Sequence, residues 1–163
     1  MCDQAADADP AVSGPDWPSI RAWAEDLAGT VAIDQPSQHV AIFVHDAGAD
    51  RLRLVAQVWG AGEDTGEVVV GKWTIPVHGS VTGRVYRTGS SALCADVSLD
   101  PEYRTFPGGR SRSSLTIPVE DDGVVLAVVN VEAPWIGAFS IRDHDALRAA
   151  ATIAARSFPG PRR

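Results

Sequence analysis

Residues 71–119 read GKWTIPVHGSVTGRVYRTGSSALCADVSLDPEYRTFPGGRSRSSLTIPV, and this stretch decides the fold. A short β-rich run, Trp73–Pro76, leads to Ser80, which caps a helix over Val81–Thr88; Gly89 stands at the C′ position that ends it. Ala92–Val97 is a second short strand. Asp100-Pro101 then opens a turn of helix carrying Tyr103 and Phe106, with the acceptor at the N-cap and proline in the first turn. A polar loop follows, and Arg112–Val119 returns to strand. Connections this long are functional or disordered more often than they are mere linkers. Laid over a sheet, this one makes a lidded pocket.

The flanks supply the sheet. His39–Asp46 (HVAIFVHD) and Leu52–Trp59 (LRLVAQVW) are β-rich runs joined by Ala-Gly-Ala-Asp-Arg, a hairpin signal. Both alternating sets in each run are largely apolar, which predicts a sheet covered on both faces. Gly60–Gly66 reads as a loop and Glu67–Val70 as a short strand. Ser113–Glu120 and Val124–Glu132 form the clearest hairpin, across Asp121-Asp122-Gly123.

Helices close the two ends. Ile20, Trp23, Ala24, Leu27 and Val31 recur at helical spacing, with Asp16 as N-cap and Pro18 in the first turn. Ser140-Ile-Arg-Asp143 is a capping box that launches a last helix to about Phe158, with Leu147, Ala150, Ala151 and Ala154 inward. The expected fold class is therefore α+β: a central antiparallel β-sheet, the N- and C-terminal helices on one face, and a loop and short-helix lid over a pocket on the other. Residues 1–15 read as a disordered acidic segment, 16–158 as one domain and 159–163 as a tail.

The bulk properties narrow the partners. At 163 residues, one domain with one core is expected. A net charge of −7 argues against nucleic acid or an anionic membrane surface, since both ask for basic patches. Two cysteines make no disulfide framework, and no His/Cys cluster has metal-ligand spacing. Without a signal-peptide pattern or a long apolar segment, the expected compartment is the cytoplasm.

The ordered motifs Gly79-Ser-Val-Thr-Gly83, Thr88-Gly89, Asp96-Val97, Asp100-Pro-Glu-Tyr103, Arg112–Val119, Val124–Glu132 and Phe139-x-x-x-Asp143 resemble a GAF domain, a PAS-like sensory fold. The resemblance covers about residues 17–158. It implies a pocket between the sheet and the middle segment, which in such domains takes cyclic nucleotides, bilins, haem, small acids or nothing. The enzyme of this family, the free methionine-R-sulfoxide reductase, resembles this chain in length and needs a reactive thiolate and a resolving thiol. Thr82 stands where its motif has cysteine, and Pro107–Ser111 replaces its Ile-Ala-Cys-Asp segment. Cys94 lies in a different motif. The resemblance therefore implies a non-catalytic sensory or regulatory domain holding an unidentified small molecule.

Among other members, the cyclic-nucleotide signature is matched at Asn130, Phe139 and Asp143 but broken at Val131 and His144. Cys94 is followed by Ala95, so the Cys-His attachment of bilins is unsupported. His78 and His45 are the residues a haem would use as axial ligand, and no cofactor is assigned.

The candidate pocket residues follow from position. Trp59, Trp73, Tyr103 and Phe106, with Trp135, are the aromatics able to wall a cavity. Gly108–Ser114 offers backbone amides, hydroxyls and the guanidiniums of Arg110 and Arg112, the parts of an anion site, or else a solvated loop. Arg112 and Ser114 alternate onto one face, and Arg112 is the best single ligand contact if that face is the pocket's. His78 lies at the mouth of the segment, where a loop histidine with one hydrogen bond is the plainer reading. Asp96 is a ligand contact or a turn acceptor, and Cys94 reads as inert packing. GAF domains commonly dimerise through terminal helices, but Trp17 and Trp23, six apart, do not share a helix face well. The competing reading is a structural or dimerisation domain whose pocket is filled by Trp73, Phe106 and Tyr103.

Overall fold

The computed structural model describes residues 14–34, 39–60 and 69–162. Helix α1 (Trp17–Asp34) is followed by strands β1 (His39–Asp46), β2 (Arg51–Val58) and β3 (Thr74–Pro76), then helix α2 (Val81–Thr88). Strands β4 (Ala92–Cys94), β5 (Ser113–Asp121) and β6 (Val124–Ala133) come next, and helix α3 (Ile141–Ala155) closes the order. The strands form one sheet in the order β3-β2-β1-β6-β5-β4, antiparallel at every pairing. This is the expected α+β architecture.

Each face of the sheet carries its own core. On one face α1 lies over β1 and β2 while α3 lies over β5. Ile20, Trp23, Ala24, Leu27 and Val31 pack there with Val40, Ile42, Leu115, Ile117, Val129, Leu147 and Ala151. Trp23 ties the two helices, its Nε1 donating to the Ala154 carbonyl at 3.0 Å and its ring meeting Phe158 edge-on. On the other face Ala41, Phe43, Leu52, Leu54, Ile75, Val77 and Phe106 make a smaller apolar cluster. Both alternating sets of β1 are apolar because both faces are covered.

The local signals act as chemistry requires. Asp16 accepts from the Ser19 amide, and Ser140 and Asp143 form the reciprocal capping box of α3. Ser80 accepts from the Gly83 amide at 3.0 Å, and Gly89 ends α2 in the left-handed region. The β5–β6 turn holds Asp122 and Gly123 at φ 49° and 78°, the left-handed pair that a tight hairpin needs.

Gly83 is fixed by contact rather than by dihedral. A Cβ there would lie 2.1 Å from the Val77 carbonyl oxygen and 2.8 Å from that of Pro76. Both are backbone atoms with no room to yield, so α2 rests directly on the chain leaving β3. Gly83→Ala is expected to cost at least about 1–3 kcal/mol, the range for overpacking. Urea unfolding would register it as a lower midpoint with an unchanged slope.

The middle segment departs from the expected elements. The predicted strand Ala92–Val97 stops at Cys94, and a 3-10 turn over Val97–Leu99 replaces its end. Asp96 caps that turn, its Oδ1 accepting from the Ser98 amide at 3.0 Å. The helical turn expected from Asp100 is a single turn, after which the chain runs irregularly through Phe106. The reason is long-range. Arg84 on α2 grips Asp100 and Glu102 (2.6 and 2.7 Å), and the Val81 amide takes the Glu102 carbonyl that a helix would have used. The predicted loop from Gly60 to Gly66 and the strand Glu67–Val70 fall largely outside the described residues, as does the acidic segment 1–13. Val70 itself belongs to a turn.

Candidate functional site: a polar floor beneath an aromatic plug

Register brings the site together. His39 of β1 faces Glu132 of β6, Glu132 faces Ser114 of β5, and Ser114 faces Cys94 of β4. The next row runs Ala41, Asn130, Thr116, Ala92. Residues opposite one another share a face, so a polar band crosses the middle of an otherwise apolar sheet. His39, Ser114, Thr116, Asn130 and Glu132 are all buried.

The band is hydrogen-bonded from one end towards the other. Thr116 Oγ1 donates to Asn130 Oδ1 at 2.9 Å, and Asn130 Nδ2 donates to Glu132 Oε1 at 3.0 Å. From the covering segment, Tyr103 OH donates to the same Oε1 at 3.0 Å and Ser111 Oγ to Oε2 at 2.7 Å. His39 Nδ1 stands 3.8 Å from Oε2, beyond hydrogen-bond reach but within ion-pair distance when the ring is protonated. Burial opposes ionisation of Glu132, yet His39, Ser111 and Asn130 outweigh it and hold the carboxyl below its ordinary range. Burial and the neighbouring Glu132 push Tyr103 far up, so its hydroxyl stays a donor.

Above this floor is a cavity of about 30 Å³ lined by Ser114, Asn130, Glu132, Phe43, Trp73, Ile75, the first turn of α2 and Tyr103–Phe106. That is room for about one or two waters. Phe106 is the plug: it packs on Phe43 and Trp73, each with centroids 6.1 Å away, and meets His39 edge-on at 4.7 Å. Among the described residues, Trp73 Nε1 on the lining has no hydrogen-bond partner, Ser114 Oγ has none beyond the Cys94 thiol, and His39 Nδ1 beside the cavity has none either.

The cover is pinned at both ends, by Arg84 on Asp100 and Glu102 and by Ser111 on Glu132. Cys94 Sγ lies 3.5 Å from Asp100 Oδ2, and burial, with the Asp100 charge adding, pushes its thiol up. It is a protonated thiol at neutral pH. Among the described residues no cluster of His, Cys, Asp and Glu is arranged to hold a metal ion, and no helix is long and apolar enough to cross a membrane.

The residues singled out in the sequence divide in two. Trp73, Tyr103, Phe106 and Ser114 meet at the cavity. Trp59 stands behind them, stacked on His39 at 3.7 Å. His78, before α2, and Arg110 and Arg112, before β5 begins at Ser113, are exposed and outside the lining, and Asp96 serves its turn. The ionised group at the floor is a carboxylate, where the sequence pointed to guanidiniums. Glu132, Asn130 and His39 were not picked out as pocket residues. Their signal was present: Asn130 and Glu132, two apart, are the polar positions of an otherwise apolar strand, hence neighbours on one face.

Comparison with known proteins places this geometry. A sequence model of one family, described as the GAF domain, matches residues 15–158. No curated protein matches the chain significantly. The type II free methionine-R-sulfoxide reductase from Thermoplasma acidophilum superposes with a TM-score of 0.70 at 20% identity, over 86% of this chain and 92% of that one. The free methionine-R-sulfoxide reductase from Neisseria meningitidis, solved with its substrate, gives 0.69 at 22%, over 87% and 85%. The GAF domain of a phosphoenolpyruvate-protein phosphotransferase from Coxiella burnetii gives 0.69 at 17%, over 85% and 89%. At such identities the likeness is one of fold. It nevertheless corrects one expectation, that this chain is not an enzyme: reductases share its architecture nearly end to end. That expectation follows from where the thiols stand, whereas the fold is shared by the reductases and by the phosphotransferase GAF domain alike.

Proposed function

We infer the function from two premises, that the chain belongs to the GAF domain family and that its cavity has a polar floor, and propose that it binds a small polar molecule between the sheet and the 97–112 cover. The observation that carries this is the buried Trp73 Nε1 on the lining, which has no partner among the described residues, beside Ser114 Oγ, which has none there beyond the Cys94 thiol. Leaving such a group unmet costs about 1–3 kcal/mol, and a guest that meets it recovers that energy. Glu132 adds an acceptor for the guest's donors, in exchange for those that Tyr103 and Ser111 supply from the cover. A free amino acid fits these partners, with an ammonium for Glu132 and an oxygen for the Trp73 N–H. Methionine sulfoxide, the substrate class named for two of the structural relatives, is the first to try.

A cavity of about 30 Å³ does not admit such a guest with Phe106 in place. Binding therefore moves the plug and reorders the cover, whose ion pairs to Arg84 carry the change to α2. The same small volume favours a second reading, a scaffold whose cavity is filled for good.

Free L-methionine and L-methionine-(R)-sulfoxide separate these. The expected result is a higher Tm and slower amide exchange across 97–112. Consumption of the sulfoxide with a dithiol present, on the same sample, would mark a reductase. Unchanged Tm and exchange with both compounds and the remaining free amino acids would overturn the binding reading.

A further inference from the structure

Among the described residues, the lining of the cavity carries one acidic and one basic side chain, Glu132 and Arg104. The two stand in opposite conditions. Glu132 is buried on the floor and takes donors from Asn130, Tyr103 and Ser111. Arg104 is exposed, and its guanidinium makes no ion pair or hydrogen bond among the described residues. Its Nη2 lies 3.6 Å from where a Cβ on Gly79 would stand. The cation therefore rests against the turn that leads into Ser80 and Val81, which line the same cavity. Neighbouring arginines are committed elsewhere: Arg84 holds Asp100 and Glu102, Arg87 donates to the Val77 carbonyl, and Arg110 and Arg112 stand outside the lining. Arg104 is thus an unspent cation on the rim, facing an anion on the floor.

We propose that Arg104 is the specificity residue of the cavity: it takes the carboxylate of a guest whose ammonium is held by Glu132, so the site selects a zwitterion over an amine without a carboxylate. The proposal rests on the reading that the cavity binds a small molecule. The charges balance in pairs. A guest with only an ammonium matches Glu132 and leaves Arg104 unmatched. A guest with only a carboxylate matches Arg104 and brings a second anion towards Glu132. The zwitterion closes both pairs and carries no net charge into the covered space, where an unmatched charge is costly.

The residue type suits the task. A guanidinium is a planar fork that takes both oxygens of a carboxylate at once. On the exposed rim it keeps its water in the empty protein, so standing there unpaired costs little. It also lies on the cover, two residues before the plug Phe106, so a carboxylate caught by it ties the guest to the segment that has to move. A pair of this kind lies between a surface ion pair and a buried charged hydrogen bond, which sets its contribution at roughly 5- to 30-fold in affinity.

The test uses the whole chain, with L-methionine as probe and L-methioninamide, which keeps the ammonium and replaces the carboxylate by a neutral amide, as control. Calorimetry at pH 6, where both amines are protonated, gives the affinities for wild type, Arg104→Gln and Arg104→Lys. Wild type is expected to bind L-methionine roughly 5- to 30-fold more tightly than the amide. Arg104→Gln should abolish that ratio by weakening L-methionine alone, and Arg104→Lys, which keeps the charge without the fork, should fall between. Without a guest, Arg104→Gln should melt at the wild-type temperature, because the guanidinium holds nothing in the empty protein. Should another free amino acid be the one that binds, the comparison is made with it and its own amide. Equal wild-type affinity for acid and amide, or an Arg104→Gln variant that weakens both alike, overturns this proposal and leaves the binding reading standing. No heat from L-methionine, its amide or any other free amino acid overturns the binding reading and this proposal with it.

Discussion

Glu132→Ala is expected to cost about 3–5 kcal/mol of stability, the range for breaking a buried ionic group out of its network. The carboxylate is 2% exposed and collects donors from three directions: Asn130 beside it, Tyr103 and Ser111 from the cover, with His39 opposite. Alanine leaves all of them unmet, Asn130 and His39 buried and Tyr103 and Ser111 half-buried, and each carries a desolvation penalty in proportion. Glu132→Gln keeps the shape and one acceptor, so it should lose clearly less. Guanidinium unfolding of the two variants reads the difference. The pH dependence gives a second signature. Because the folded carboxyl titrates below its ordinary 4.5, its contribution is complete above that value and is lost as the pH falls through the folded one. Wild type should therefore lose stability in acid more steeply than the alanine variant. Equal midpoints for wild type and Glu132→Ala would mean that the cover is not held by this carboxylate.

What the sequence made legible is what short range decides. Ser80 and Gly89 bracket α2, the Ser140–Asp143 box starts α3, and Asp122-Gly123 turns β5 into β6 through contacts a few residues long. The doubly apolar strands announced a sheet covered on both faces. The cover resisted reading for the opposite reason. Its path depends on Arg84, which takes Asp100 and Glu102 away from the helical turn that their local sequence favours. The site depends on register as well: nothing local pairs His39 with Glu132, and only the β1–β6 pairing sets them side by side. Arg110 and Arg112 stand outside the lining, and composition could not place them, because a glycine- and serine-flanked guanidinium reads the same whether it lines a cavity or faces water. Which of the two it does is fixed by where β5 begins.

Phe106→Ala separates a binding cavity from a filled one. The ring is 5% exposed and packs against Phe43, Trp73, Trp59 and His39, so its removal is expected to cost about 3–5 kcal/mol, read from denaturant unfolding. The loss should concentrate in the cover: with its plug gone, residues 103–109 keep only their hydrogen bonds, and their amides should exchange faster than those of β5 and β6. The hole left behind joins the existing cavity and is walled by apolar side chains on all but the floor. If the cavity is a site that opens by displacing Phe106, L-methionine should bind this variant more tightly than wild type, because the work of moving the ring has already been done. If it is a permanently filled scaffold, the variant should lose the same stability and bind L-methionine no better than wild type, while a plain apolar guest such as benzene raises its Tm. The plug is thus the residue at which one reading predicts a gain in affinity and the other none, from one identical loss of stability.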